Sequence, residues 1–352
     1  MSQMNAIVMK NGSLSVNQID RPEPGPGQVL VKSLACGICG SDIHITRHTS
    51  DVFDVYKTLG IMDASASDDQ EVLLGHEYAA EIVSYGTETQ GSLPVGSRVT
   101  SVPILLTQGG AGVGVMPGVY GAYSEYFIVD EALLLPIPDS VPSEAAAITE
   151  PLAVGLHAVN RSEIGVDDVA LVAGCGPIGL AAIAALKQRG VKRIVASDPQ
   201  DAKKEIAMAF GATDFVNPVK DDEVALAAHL AGEHKVVIIE CVGIHKLIND
   251  FIMRAPAKAK LVVTGVHTTP TTLNLAYATV KEMDVIFSYY YQPEEFAACL
   301  NEIAEGNVPW ELMRTGKVGI DGVQGAFETL FKPNDHIKII IEPWRKGELE
   351  TL

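Results

Sequence analysis

From residue 150 to 290 short apolar runs alternate with longer stretches in which apolar residues recur at helical spacing. Val169–Ala173, Arg193–Ser197, Asp214–Val216, Lys235–Glu240, Lys260–Thr264 and Asp284–Ser288 read as strands. Leu180–Gly190 and Ala202–Phe210 read as helices, and glycine closes each, which suits a helix C-terminus. Strands alternating with helices predict an α/β fold with a doubly wound, parallel six-stranded sheet. The first 150 residues differ. Short alternating strands such as Gln28–Ala35 are broken by Gly and Pro, the pattern of an antiparallel β domain. A helix over Pro293–Glu305 and a strand over Ile337–Glu342 are too little for a third domain. They are expected to complete the first, giving a discontinuous domain of residues 1–151 and 291–352 around a second of 152–290.

The turn after Val169–Ala173 sharpens the picture of the second domain. Residues 174–179 read Gly-Cys-Gly-Pro-Ile-Gly, and the first carboxylate at the end of the next strand is Asp198. In this frame Gly174 permits the tight turn, Gly176 admits a pyrophosphate to the backbone, and Gly179 lets the helix pack on the sheet. Pro177 and Ile178 open the helix whose N-terminus would face the negative charge. Asp198 would accept hydrogen bonds from the adenosine ribose and repel a 2′-phosphate. Lys203 could reach the ribose or adenine edge, but a lone Lys is a weaker phosphate clamp than Arg. NAD is therefore expected over NADP.

Composition mainly excludes. The chain has 352 residues, 47% hydrophobic and 20% charged, as in a globular protein of two domains. Its net charge of −18 disfavours nucleic acid and anionic membranes as partners. No apolar run approaches the ~18 residues of a membrane span. The N-terminus enters a strand pattern without the basic flank and apolar stretch of a signal peptide. Cysteines 36, 39, 175, 241 and 299 form no regular disulfide framework. A cytoplasmic location is the expectation.

Upstream of the nucleotide domain lie residues with metal chemistry: Cys36-Gly37-Ile38-Cys39-Gly40-Ser41-Asp42-Ile43-His44, then Gly75-His76-Glu77, then Glu150 in Thr149-Glu150-Pro151-Leu152-Ala153. Thiolate, imidazole and carboxylate are the ligands zinc accepts, and a catalytic zinc keeps one position open. These segments, the nucleotide turn, Gly121-Ala122-Tyr123-Ser124-Glu125-Tyr126 and Lys338-Ile339-Ile340 follow one another as in the zinc-dependent medium-chain dehydrogenases. The chain resembles most the sorbitol, butanediol and threonine dehydrogenase branch, over essentially its whole length. The resemblance implies a GroES-like antiparallel β catalytic domain joined to a Rossmann domain, with Cys39 and His76 as zinc ligands. Glu77 and Glu150 share the remaining coordination, directly or through water. Ser41 would handle the alcohol proton and His44 would end a relay to solvent, while Cys36 reads as a packed strand residue. The implied activity is reversible NAD-dependent oxidation of a secondary alcohol or polyol by a homodimer or homotetramer. The alternatives are a sugar dehydrogenase of the glucose type, or a zinc-free quinone reductase or non-catalytic NAD-binding protein.

The chain departs from this pattern twice. Many relatives hold a structural zinc on four cysteines after a segment matching Gly96-Ser97-Arg98-Val99. Here no cysteine follows until Cys175, and Gly109–Gly118 reads as a flexible loop, so a structural zinc is not expected. Residues 51–71 form an apparent insertion rich in Ser and Asp. It reads as a solvated loop or as a lid, with Phe53 and Tyr56 as candidate wall residues, and Tyr289-Tyr290-Tyr291 is a further candidate lining.

Overall fold

The computed structural model describes residues 2–267 and 270–352. The chain divides into two compact units. One holds residues up to Glu150 with Ile303–Glu305 and Trp310–Leu352, and the other holds Pro151–Glu302 with Gly306–Pro309. The helix Pro293–Ala304 thus runs mostly within the second unit, and the chain returns to the first only after Glu302 rather than at 291.

The second unit is the expected parallel sheet. Its six strands lie in the order Asp214–Val216, Arg193–Ser197, Val169–Ala173, Val236–Glu240, Lys260–Val263 and Asp284–Phe287. Every neighbouring pair is parallel. Strands covered on both faces need apolar side chains on both, so Val169–Ala173 and Val236–Glu240 are buried throughout. The chain order reverses between these two strands, the switch point at which open α/β sheets bind ligands. Gly174 turns the chain out of the sheet at φ +95°, and helix Pro177–Gln188 begins with proline in its first turn. A Cβ on Gly179 would lie 1.8 Å from the Gly174 carbonyl oxygen, so only glycine allows this helix to sit against the turn.

The first unit is built on antiparallel strands. Gln28–Gly37 is central, pairing with Glu77–Tyr85, with Tyr126–Asp130 and with Lys338–Glu342. Its register sets Gly37 opposite Glu77 on one side and opposite Ile340 on the other. Three segments far apart in sequence therefore meet at the C-terminal end of one strand. A separate three-stranded sheet holds Ser13–Asp20, Gln3–Lys10 and Val72–Leu73 in that order. Residues 51–71 do not form a simple loop. Their first part continues helix Thr49–Thr58, and Phe53 is wholly buried in the core of this unit, so it is packing rather than wall. Tyr56 packs partly buried against the same core.

Candidate active site

Cys39 caps the helix Gly40–Arg47 at its N-terminus, two residues after strand Gln28–Gly37 ends. Asp42, at the third helical position, accepts the Cys39 backbone N–H at 2.9 Å, so the side chain that follows Ser41 fixes the turn presenting the thiol. His76 precedes strand Glu77–Tyr85 and Glu77 begins it. Cys39, His76 and Glu77 bring ligand atoms within 4.8 Å of one another, the one such group of metal-binding side chains among the described residues. His76 and Glu77 are buried and Cys39 partly so.

Buried carboxylates, Asp42 and Glu150, surround this trio together with one buried cation, Lys338. Lys338 heads strand Lys338–Glu342 and sits 2.7 Å from both Glu77 carboxylate oxygens, donating to Oε1 and to the Ile38 carbonyl. Glu77 Oε2 receives no hydrogen bond in good geometry and keeps free lone pairs. Burial alone would lower the Lys338 pKa, but Glu77, then Cys39 and Glu150, hold it above the ordinary lysine value. Burial likewise pushes the His76 pKa down, while Asp42 and then Cys39 outweigh it and hold it well up. Neighbours that favour a positive charge on an enclosed imidazole also suit a bound cation. Thiolate, imidazole and carboxylate with an orphaned carboxylate oxygen fit zinc. Cys39, His76 and a glutamate would hold it.

The other expected residues fall near this trio or apart from it. Ser41 is exposed, with Oγ 3.4 Å from His76 Nε2. His44 lies three residues further along the same helix, its ring 4.9 Å from that of His48. Burial, then His48, lowers its pKa below the ordinary histidine value. Glu150 is buried in the first turn of helix Thr149–Ser162, close enough to act on Lys338, but is not one of the three clustered donors. Cys36 is wholly buried, and burial, then Asp42, pushes its thiol pKa well up. Three participants went unassigned in the sequence: Asp42, Tyr123 and Lys338. Tyr123 donates to Asp42 across 81 positions and Lys338 reaches Glu77 across 261. A lysine heading the run Ile339-Ile340-Ile341 was the available signal, because a charge on a buried strand needs a partner.

In the second unit Asp198 ends strand Arg193–Ser197, nearly buried. Its Oδ2 accepts the Cys175 N–H and its Oδ1 the Gln200 N–H, both at 2.9 Å. Each carboxylate oxygen has a second lone pair, so ribose hydroxyls can still be received. Lys203 begins the next helix, Lys203–Phe210.

Residues 25–139 match the model of the alcohol dehydrogenase GroES-like domain, and residues 177–305 that described as zinc-binding dehydrogenase. The (R,R)-butanediol dehydrogenase of Bacillus subtilis (strain 168) is 32% identical over 341 residues, 94% of this chain and 96% of that protein. The chain belongs to the zinc-binding medium-chain dehydrogenase family. A sorbitol dehydrogenase of Arabidopsis thaliana is 28% identical over 357 residues, 96% of this dehydrogenase and 94% of that one. The crystal structure of the 2R,3R-butanediol dehydrogenase from Bacillus subtilis superposes with a TM-score of 0.81 at 30% identity, covering 97% of this chain and 99% of that one. The dehydrogenase is a zinc-dependent, NAD(P)-using enzyme of the polyol and butanediol branch. No helix among its described residues is long and apolar enough to cross a membrane.

Proposed function

We propose that this dehydrogenase reversibly oxidises a secondary alcohol or polyol to the ketone with NAD as hydride acceptor. The observation that carries the reading is the convergence of Cys39, His76 and Glu77. One zinc ion held there would act as a Lewis acid on the substrate hydroxyl. Glu77 is the third donor favoured by this arrangement, since its carboxylate clusters with Cys39 and His76, and Glu150 is the alternative carboxylate acting on the same lysine. Ser41, exposed beside His76, takes the hydroxyl proton. His44, three residues on and so on the same helix face, carries it to solvent. Its lowered pKa leaves the ring neutral, and able to accept a proton, at neutral pH. NAD rather than NADP is supported by the Asp198 carboxylate, which would repel a 2′-phosphate. Pro177 and Ile178 open the helix over the pyrophosphate, Gly174, Gly176 and Gly179 shape the turn beneath it, and Lys203 stands on the adenosine side.

A homodimer is supported by one edge of the second unit. Strand Asp284–Phe287 ends the sheet, and Leu275, Val280, Phe287 and Tyr289 beside it are largely exposed. An unpaired edge flanked by apolar side chains is suited to another strand. The five free cysteines suit a reducing cytoplasm.

Initial rates on zinc-loaded enzyme test the reading, with vicinal diols, linear polyols, aldoses and simple secondary alcohols offered with NAD and with NADP. NAD-dependent ketone formation from a diol, polyol or secondary alcohol is expected. Oxidation of aldoses alone, or no oxidation at all, would overturn the substrate class, and a preference for NADP would overturn the cofactor.

A further inference from the structure

Asp42 is fully buried, and its two oxygens are used differently. Oδ2 accepts the Tyr123 hydroxyl at 2.6 Å and the Cys39 backbone N–H at 2.9 Å. Oδ1 has no donor in hydrogen-bond geometry and faces His76 Nδ1 at 3.5 Å, and that nitrogen has no other partner. One carboxylate therefore touches both Cys39 and His76. Its bond to Cys39 is local to the helix cap, so the Tyr123 hydroxyl is the anchor that ties it to the rest of the unit.

Tyr123 is itself held without slack. It is fully buried, its N–H donates to the Leu74 carbonyl at 3.0 Å, and its carbonyl accepts the Ile7 N–H at 3.0 Å. The ring packs edge-on to Phe327 and over Gly75, whose φ of +104° and missing Cβ both matter. A Cβ there would lie 2.5 Å from the ring. Gly75 immediately precedes His76, so the same contact that seats the tyrosine also seats the histidine. The one phenol proton has two acceptors in reach, Asp42 Oδ2 at 2.6 Å and the Gly37 carbonyl at 3.3 Å, and the shorter contact to the charged oxygen takes it.

We infer that Tyr123 is a positioning residue for the metal centre. By donating to Asp42 Oδ2 it holds the carboxylate with Oδ1 facing His76 Nδ1 at 3.5 Å, which favours the ring proton on Nδ1 and leaves the Nε2 lone pair for the cation. The terminal torsion of an aspartate is broad and roughly two-fold, so a carboxylate needs such an anchor to keep one oxygen on a target. Partners of this kind fix the tautomer and orientation of a metal-binding histidine, and losing one costs 10–100-fold in metal affinity. The inference rests on the zinc reading above.

The test measures zinc affinity by chelator competition at a temperature where all variants are folded without metal. Y123F should bind zinc about tenfold more weakly than the parent, at the mild end of the range for such partners. D42N should lose at least as much, and Y123F/D42N should come close to D42N, because the phenol acts chiefly through the carboxylate at 2.6 Å and much less through the Gly37 carbonyl at 3.3 Å. The inference is overturned if Y123F binds within twofold of the parent, or if it costs the same factor in the D42N background as in the parent. A parent that takes up no zinc instead sinks the metal reading itself. Should Y123F not fold, nitrogen-15 histidine spectra of the zinc-loaded parent decide. A proton on His76 Nδ1 supports the chain of bonds, and a proton on Nε2 overturns it.

Discussion

Replacing Lys338 by methionine removes the one cation from a buried pair while nearly keeping its volume. Lys338 is 2% exposed and Glu77 is 0% exposed, with Nζ 2.7 Å from both carboxylate oxygens. At an effective dielectric constant of about 20 the gross attraction at that distance is about 6 kcal/mol. Burying the two ions costs several kcal/mol each, so the intact pair stabilises the fold little. Leaving Glu77 charged and alone is another matter, costing about 3–5 kcal/mol. K338M should therefore lose about that much in the metal-free protein, and K338M/E77L should regain most of it. Urea unfolding followed by tryptophan fluorescence suits the measurement, because Trp310 and Trp344 both lie in the unit that holds the pair. Zinc at Glu77 would replace the missing positive charge, so the K338M penalty should shrink in the zinc-loaded protein. Because the folded Lys338 pKa is raised, the pair contributes fully below the unfolded lysine value of about 10.4 and loses its contribution as pH rises through the higher folded value. The penalty should thus be flat from neutral pH to about 10 and fall beyond. A K338M loss under about 1 kcal/mol, or a double variant no better than the single, would refute the buried-pair reasoning.

Other outcomes follow from the second unit. D198N should narrow the ratio of kcat/KM for NAD over NADP by about tenfold or more, a loss of about 1.4 kcal/mol of discrimination, and an unchanged ratio would remove Asp198 from cofactor choice. F287E places a charge on the exposed edge of the sheet and should shift light-scattering mass from dimer to monomer at micromolar concentration. A parent that is already monomeric, or a variant that stays dimeric, counts against that edge as the contact.

Much of the second unit was legible because its signals are local. Runs buried on both faces are apolar at every position, and the expected bounds of Val169–Ala173, Arg193–Ser197 and Asp214–Val216 are those of the structure. Gly179 could be read from its spacing because one carbonyl oxygen five residues back forbids a side chain there. The first unit was legible in outline only. Residues 51–58 lie in helix Thr49–Thr58 despite a Ser- and Asp-rich continuation that suggested a loop, and the burial of Phe53 decides that helix. Around the candidate site, residue type left Cys36 and Cys39 both open and the resemblance to the family pointed to Cys39 and His76, which the structure sets together with Glu77. What could not be read was the support beneath them. Asp42 carried no assignment of its own, and its tie to Tyr123 depends on a contact across 81 positions. Lys338 and Glu77 pair through strand register, with Gly37 opposite both Glu77 and Ile340, and no linear motif encodes that.

Zinc content per chain bears most directly on the account, measured by elemental analysis on enzyme purified without added metal and again after zinc loading and desalting, with C39S treated alike. About one zinc per chain in the parent, and loss of that zinc in C39S, is the predicted result for a centre of three protein ligands with one position open. A parent that stays near zero after loading, or a C39S that holds as much zinc as the parent, would contradict a metal centre at Cys39, His76 and Glu77.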